Sequence, residues 1–206
     1  CINIHPSLLP AYRGPCPIEW TLIKGETITG ISCMRMDEGI DTGNIITQKK
    51  LSIGPADTTA TLTDKLSKLG AEVLAEVLHK MGKVEPKNYP QEGTPTYAPM
   101  LSKKNRIIDW TKNAAEIHNL VRALNPYPGA RVYPEGQGNG LIIWETEISN
   151  LTETVAAPGK VIKTSRDGII VSAGKGCLLV RCLQPEGKRK QTASEFIRGH
   201  NNVEKF

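Results

Sequence analysis

The chain has 206 residues, 39% of them hydrophobic and 23% charged, with a formal net charge of +5. That balance excludes a disordered chain, and the length allows one large domain or two small ones with a real core. No apolar run is long enough to span a bilayer.

Residues 1–5, Cys1-Ile2-Asn3-Ile4-His5, read as the end of a buried strand. A domain rarely opens inside its own sheet, so an upstream region, or numbering that begins after a processing site, is expected. Pro6 to Gly14 read as a loop punctuated by Pro and Gly. A short helix is predicted over 18–24, ending near Gly25. Strands over 29–36 and 44–53 flank the turn Asp37-Glu38-Gly39-Ile40-Asp41-Thr42-Gly43. The clearest helix follows. Asp57 or Thr59 can cap it, and Leu62, Leu66, Leu69, Val73, Val77 and Met81 recur at three- and four-residue steps up to Gly82.

Between 83 and 99 the periodicity is lost, and Pro86, Pro90, Pro95 and Pro99 interrupt the chain, as in a linker. A helix over 113–124 ends at Asn125-Pro126-Tyr127-Pro128. Short strands over 141–146, 159–164, 168–172 and 177–183, separated by Gly-rich or polar turns, predict a small barrel, and 192–198 a last helix. This divides the chain into a first domain over 1–84, a linker over 85–103 and a second domain over 104–206.

Cys1, Cys16, Cys33, Cys177 and Cys182 are odd in number and contain no Cys-x-x-Cys pair, which fits a reducing compartment better than a disulfide framework. Charge is uneven. Residues 1–82 carry a net −1 and residues 83–206 a net +6, which suits a polyanion partner for the second half as readily as a solvated lysine surface.

Residues two apart on a strand share a face, so Asn3 and His5 aim into one space beside the Pro/Gly loop, where open α/β sheets place ligands. Alone, Asn-x-His is a common strand pair. The order Asn3-x-His5-Pro6-Ser7-Leu8-Leu9-Pro10, then Arg13-Gly14, then Asp41-Thr42-Gly43, closely resembles the folate-dependent formyltransferase family over residues 1 to about 80. The second half carries Leu101-Ser102-Lys103, Ile108-Asp109-Trp110, Asn125-Pro126-Tyr127-Pro128-Gly129-Ala130 and Leu183-Gln184-Pro185-Glu186-Gly187-Lys188. These resemble the C-terminal domain of the family's methionyl-tRNA-directed branch. The chain has Met100 where the family commonly has a basic residue.

The resemblance implies an α/β fold: the C-terminal half of a Rossmann-like formyltransferase domain, then a small OB-like β-barrel domain. It implies that Asn3, His5 and Asp41 are catalytic, acting on 10-formyltetrahydrofolate as formyl donor without a metal. The Asn3 amide would donate to the formyl oxygen, His5 would stabilise the same charge and supply a proton to the departing folate nitrogen, and Asp41 would orient His5 and organise a water. Ser7, Leu8, Leu9 and Pro10 would shape the formyl site, with a cis bond at Leu9–Pro10. Asp37, Glu38, Gly39 and Ile40 would hold the pterin, mostly through backbone. His79, His118 and His200 read as surface residues.

The partner implied is initiator methionyl-tRNA, with Lys103, Lys104, Arg106, Lys188, Arg189 and Lys190 as candidate contacts. A monomer in the bacterial cytoplasm or an organellar matrix is expected. The alternatives are formyl transfer to an amino sugar nucleotide, hydrolysis of formyl folate, and a tRNA-binding fragment without activity.

Overall fold

A computed structural model of the chain describes residues 1–84, 86–133, 140–151, 156–199 and 204–206. It divides into two compact units, Cys1–Leu101 and Ser102–Phe206.

In the first unit β1 (Ile2–His5), β2 (Ile28–Arg35) and β3 (Ile45–Ser52) form a sheet in the order β1-β2-β3, antiparallel throughout. The register sets Asn3 opposite Met34, Ile4 opposite Cys33 and His5 opposite Ser32. A short helix, α1 (Pro17–Ile23), precedes β2, and the long helix α2 (Thr59–Met81) follows β3. It covers the sheet face that carries Ile4. A Cβ added at Gly70 of α2 would stand 3.2 Å from Ile4 Cγ2 and 3.6 Å from Ile31 Cδ1. Strand alternation therefore turns half-buried Ile4 toward α2, and Asn3 and His5 to the opposite face.

The cap of α2 is Thr58, between the two candidates read from sequence. Its hydroxyl accepts from the Thr61 N–H, and the Thr61 hydroxyl accepts from the Thr58 N–H. Leu62, Leu66, Val73 and Val77 are buried at the spacing expected of one helix face. Asp57, just before the cap, is buried and takes the Gly54 N–H at 2.7 Å, the Thr61 hydroxyl at 2.9 Å and the Lys65 ammonium at 2.7 and 2.8 Å. Burial works to raise its pKa, but Lys65 and these hydrogen bonds outweigh it and hold the carboxyl below its ordinary range.

Part of the proline-rich stretch runs along this unit as a strap. Tyr89 and Ile45 exchange backbone bonds of 2.9 and 2.8 Å. Thr96 N–H reaches the Pro10 carbonyl at 3.2 Å, Arg13 N–H the Thr96 carbonyl at 2.9 Å, and Ala98 N–H the Arg13 carbonyl at 2.7 Å. These are backbone bonds between segments far apart in sequence, so side-chain periodicity carried no trace of them.

The second unit has a sheet in the order β4 (Ala130–Val132), β5 (Leu141–Ile148), β8 (Cys177–Pro185), β7 (Gly168–Ser172) and β6 (Val161–Ser165), with β9 (Gln191–Thr192) paired to β8. Every pairing between these strands is antiparallel. The strands β4 and β9 are too short to leave a periodic signal and were not legible in the sequence. Two helices, α3 (Ala114–Ala123) and α4 (Ala193–Gly199), complete the unit. Asn113 caps α3 in a reciprocal box with Glu116. Ile143, Ile169, Val171, Leu178, Val180 and Leu183 are fully buried. The mixed α/β content agrees with the sequence reading. Among the described residues, however, both named sheets are antiparallel, and no pairing of β4 with β6 closes a barrel.

Candidate active site

The site is built where β1 ends. His5 is 5% exposed, and both ring nitrogens face acceptors. Nε2 lies 3.0 Å from the Tyr12 carbonyl, and Nδ1 lies 3.5 Å from Asp41 Oδ2. The Tyr12 carbonyl can only accept, so Nε2 is the donor of that hydrogen bond, while Nδ1 faces the carboxylate at a distance too long for a hydrogen bond. The same Asp41 oxygen takes the Gly14 N–H at 2.9 Å. Asn3 is partly exposed on the same strand face as His5, and among the described residues its side-chain amide has no hydrogen-bond partner. It is therefore a donor available to an external oxygen.

Backbone geometry singles out the same place. Tyr12 (φ +60) and Asp41 (φ +54) are the non-glycine residues with positive φ among the described residues, and both touch His5. Such conformations cost roughly 1 kcal/mol or more each and concentrate at functional sites. Two glycines make the close approaches possible. Gly14 adopts φ +118, and a Cβ on it would stand 2.8 Å from the Ala98 carbonyl oxygen. At Gly43 a Cβ would stand 1.7 Å from the Arg35 carbonyl oxygen, so the turn after Asp41 has no room for a side chain.

The loop after His5 is a packed wall. The Leu9–Pro10 bond is cis. Ser7 is fully buried, its hydroxyl donating to the Ala11 carbonyl at 2.6 Å, and Leu9 is buried beside it. Leu8 and Pro10 are half-buried. The Ser32 hydroxyl and the Gln48 amide hold the loop from β2 and β3, donating to the Ser7 carbonyl at 2.6 Å and the Leu9 carbonyl at 2.9 Å. Ser7 and Leu9 thus contribute shape rather than free polar groups. Asp37, Glu38, Gly39 and Ile40 form an exposed turn, closed by Asp37 Oδ1 accepting from the Gly39 N–H at 3.1 Å and the Thr42 hydroxyl at 2.6 Å. Ile40 is 76% exposed.

Sequence reasoning did not find three participants. Tyr12 acts through its carbonyl and Gly14 through its N–H, groups that every residue, or every residue but proline, possesses. The Tyr12 hydroxyl instead donates to Glu26 at 2.6 Å, and burial, then Glu26, pushes the phenol pKa well up. The third is Gln91 of the strap. Its Nε2 donates to the Asp41 carbonyl at 2.8 Å and the Gly43 carbonyl at 2.9 Å, and its Oε1 accepts from Arg13 Nε at 3.1 Å and Nη2 at 2.7 Å.

The basic candidates lie in the second unit and differ in their partners. Lys103, Lys104 and Arg106 fall in a 3-10 helix, Lys103–Arg106, where both lysines are exposed and the Arg106 guanidinium sits 5.9 Å from the Tyr127 ring centre. Lys188 is exposed. Arg189 pairs with Glu195 at 3.5 Å, and Lys190 pairs with Glu145 at 2.9 Å while lying 5.6 Å from the Trp144 ring centre. His118 Nδ1 lies 3.0 Å from the Thr146 hydroxyl, His79 Nε2 lies 3.1 Å from Lys83 Nζ, and His200 falls outside the described residues. Among the described residues no group of three or more His, Cys, Asp or Glu is placed to hold a metal ion.

Comparison with known proteins identifies the family. Residues 1–78 match the family described as formyl transferase, and residues 100–201 match the formyl transferase C-terminal domain. The chain belongs to the formyl transferase family. It is 42% identical to the methionyl-tRNA formyltransferase of Pelotomaculum thermopropionicum over 199 residues, covering 97% of this chain and 63% of that protein. It is 46% identical to that of Thermodesulfovibrio yellowstonii over 201 residues, again covering 97% and 63%. The chain thus spans about three fifths of the length of these formyl transferases. Among solved structures, the methionyl-tRNA formyltransferase from Clostridium thermocellum matches with a TM-score of 0.59 at 25% identity, covering 73% of this chain and 64% of that one. WlaRD, a sugar 3N-formyl transferase solved in the presence of dTDP and 5-N-formyl-THF, matches with a TM-score of 0.70 at 25% identity, covering 91% and 66%.

Proposed function

We propose that the protein transfers the formyl group of 10-formyltetrahydrofolate to the amino group of initiator methionyl-tRNA, giving N-formylmethionyl-tRNA for translation initiation. The observation that carries this reading is the Asn3 amide, without a hydrogen-bond partner among the described residues, on the same strand face as a buried His5 that faces Asp41. The amine attacks the formyl carbon and negative charge builds on the formyl oxygen. Asn3 donates to that oxygen. His5 Nδ1, whose 3.5 Å separation from Asp41 is long for a hydrogen bond, turns its proton to the same charge and then to the leaving folate nitrogen. Asp41 orients the ring and organises the water that takes the proton of the attacking amine. The turn over 37–40 holds the pterin through backbone groups, and the wall made by Ser7, Leu8, Leu9 and Pro10 shapes the formyl pocket.

In this reading residues 1–84 belong to a Rossmann-like catalytic domain, 85–103 to a linker, and 104–206 to an OB-like domain that meets tRNA through basic side chains. Lys103, Lys104 and Lys188 are the strongest candidates, because Arg189 and Lys190 already have acidic partners. A compartment that initiates translation with formylmethionine follows, a bacterial cytoplasm or an organellar matrix. The names of relatives that share 97% of this chain favour methionyl-tRNA as acceptor. The match to a sugar 3N-formyl transferase keeps an amino sugar nucleotide as the second reading.

Assay of the intact protein with both acceptors tests the proposal. Transfer to charged initiator tRNA and none to a dTDP-amino sugar is expected; the reverse pattern refutes it. Asn3→Ala is expected to lower kcat by about 100- to 1000-fold, the usual loss on removing one oxyanion donor.

A further inference from the structure

We propose that Gln91, in the proline-rich strap, is a positioning residue for formyl transfer that sets the geometry of Asp41 against His5. The inference rests on the formyl-transfer reading above and goes beyond its catalytic trio. Gln91 is 50 residues from Asp41 in sequence, yet its amide donates both hydrogens to the turn that carries it, at the Asp41 and Gly43 carbonyls. Its oxygen accepts from two donors of Arg13, Nε and Nη2. The orientation of the amide is dictated by these partners. Carbonyls only accept and a guanidinium only donates, so the reverse orientation would lose all four bonds.

Arg13 lies between the two residues that touch the catalytic pair. Tyr12 on one side offers its carbonyl to His5, and Gly14 on the other gives its N–H to Asp41. Gln91 therefore ties the turn holding Asp41 to the loop holding His5 through one side chain. The strap reinforces the same loop. The Thr96 hydroxyl accepts from the Tyr12 N–H at 2.9 Å, and backbone bonds from Thr96 and Ala98 hold Arg13. Tyr12 and Asp41 both carry positive φ, a conformation that persists only where the surroundings over-determine it. Gln91 and Thr96 supply that constraint. Among the described residues neither side chain hydrogen-bonds to His5, and neither is assigned contact with a reacting atom.

The test uses the intact protein. Gln91→Glu keeps the acceptor for Arg13 but cannot donate to the Asp41 and Gly43 carbonyls, so it isolates the positioning bonds. Gln91→Ala removes both halves. Each is expected to lower kcat by about 10- to 100-fold, the scale of a sub-ångström misplacement, with KM for folate and for tRNA within about threefold of wild type. In an Asp41→Asn background the further loss from Gln91→Glu is expected to shrink below about threefold, because residues acting through one group are not additive.

Full additivity of the two losses, or wild-type kcat in Gln91→Glu, overturns the proposal. If Gln91→Ala fails to fold, Gln91→Glu still decides the matter. If wild type itself transfers no formyl group, the functional reading fails instead, and the two failures are told apart by that control.

Discussion

Replacing Asp41 with Asn separates the electrostatic role of this residue from its structural one. Asn tolerates the left-handed backbone at φ +54 as Asp does, and its carbonyl oxygen can still accept the Gly14 N–H. The fold is therefore expected to survive with a stability change under about 1 kcal/mol. What is lost is the carboxylate charge 3.5 Å from His5 Nδ1, in a site where the two side chains are only 6% and 15% exposed. The short separation and the low exposure leave that charge little screened by solvent. Loss of a carboxylate that orients an acid–base histidine costs up to about 10,000-fold, so kcat should fall by about two to four orders of magnitude. Single-turnover formyl transfer to charged initiator tRNA, with a thermal melt beside it, measures both quantities. A kcat within about threefold of wild type in a stably folded Asp41→Asn protein would falsify the electrostatic account. Asp41→Ala makes the contrast. It leaves the Gly14 N–H without its acceptor and puts an ordinary side chain at positive φ, costing about 2–3 kcal/mol of stability in addition.

Three further outcomes are expected. Asp57→Asn should destabilise the first unit by about 1–3 kcal/mol at neutral pH. Because the folded pKa of Asp57 is lowered, its contribution is present above the ordinary carboxylate value and is lost as pH falls through the folded one. The gap in melting temperature between variant and wild type should thus narrow in acid, and a constant gap contradicts the assignment. Gly43→Ala, which meets the Arg35 carbonyl, should cost about 1–3 kcal/mol and lower formyl transfer with it; a variant as stable and active as wild type shows that the turn can relax. For tRNA binding, Lys103→Ala and Lys104→Ala should each reduce the salt slope of log affinity by up to about one, while Arg189→Ala and Lys190→Ala, already paired with Glu195 and Glu145, change it less. Equal slopes for all four indicate that phosphate contacts are not drawn from these residues.

Much of the candidate site is legible in the sequence because its parts are local. Asn3 and His5 share a face through the two-residue repeat of a strand, and Asp41 is singled out by the family resemblance that Asp41-Thr42-Gly43 carries. The helix α2 declared itself through Leu62, Leu66, Val73 and Val77, since burial of one helix face imposes a spacing that survives in the sequence. The four longer strands of the second unit did the same, whereas β4 and β9, three and two residues long, are defined by partners rather than by composition.

The Asn3-x-His5 pair and the Asp41 turn, then, were determined by the chain alone. Their meeting was not. It depends on a Tyr12 carbonyl, a Gly14 N–H and the Gln91 amide, and the first two are groups that every residue or nearly every residue carries. Hydrogen bonds to backbone place no demand on the sequence of the partner. A lone Gln in a proline-rich stretch therefore reads as linker until the tertiary structure sets it between Arg13 and Asp41.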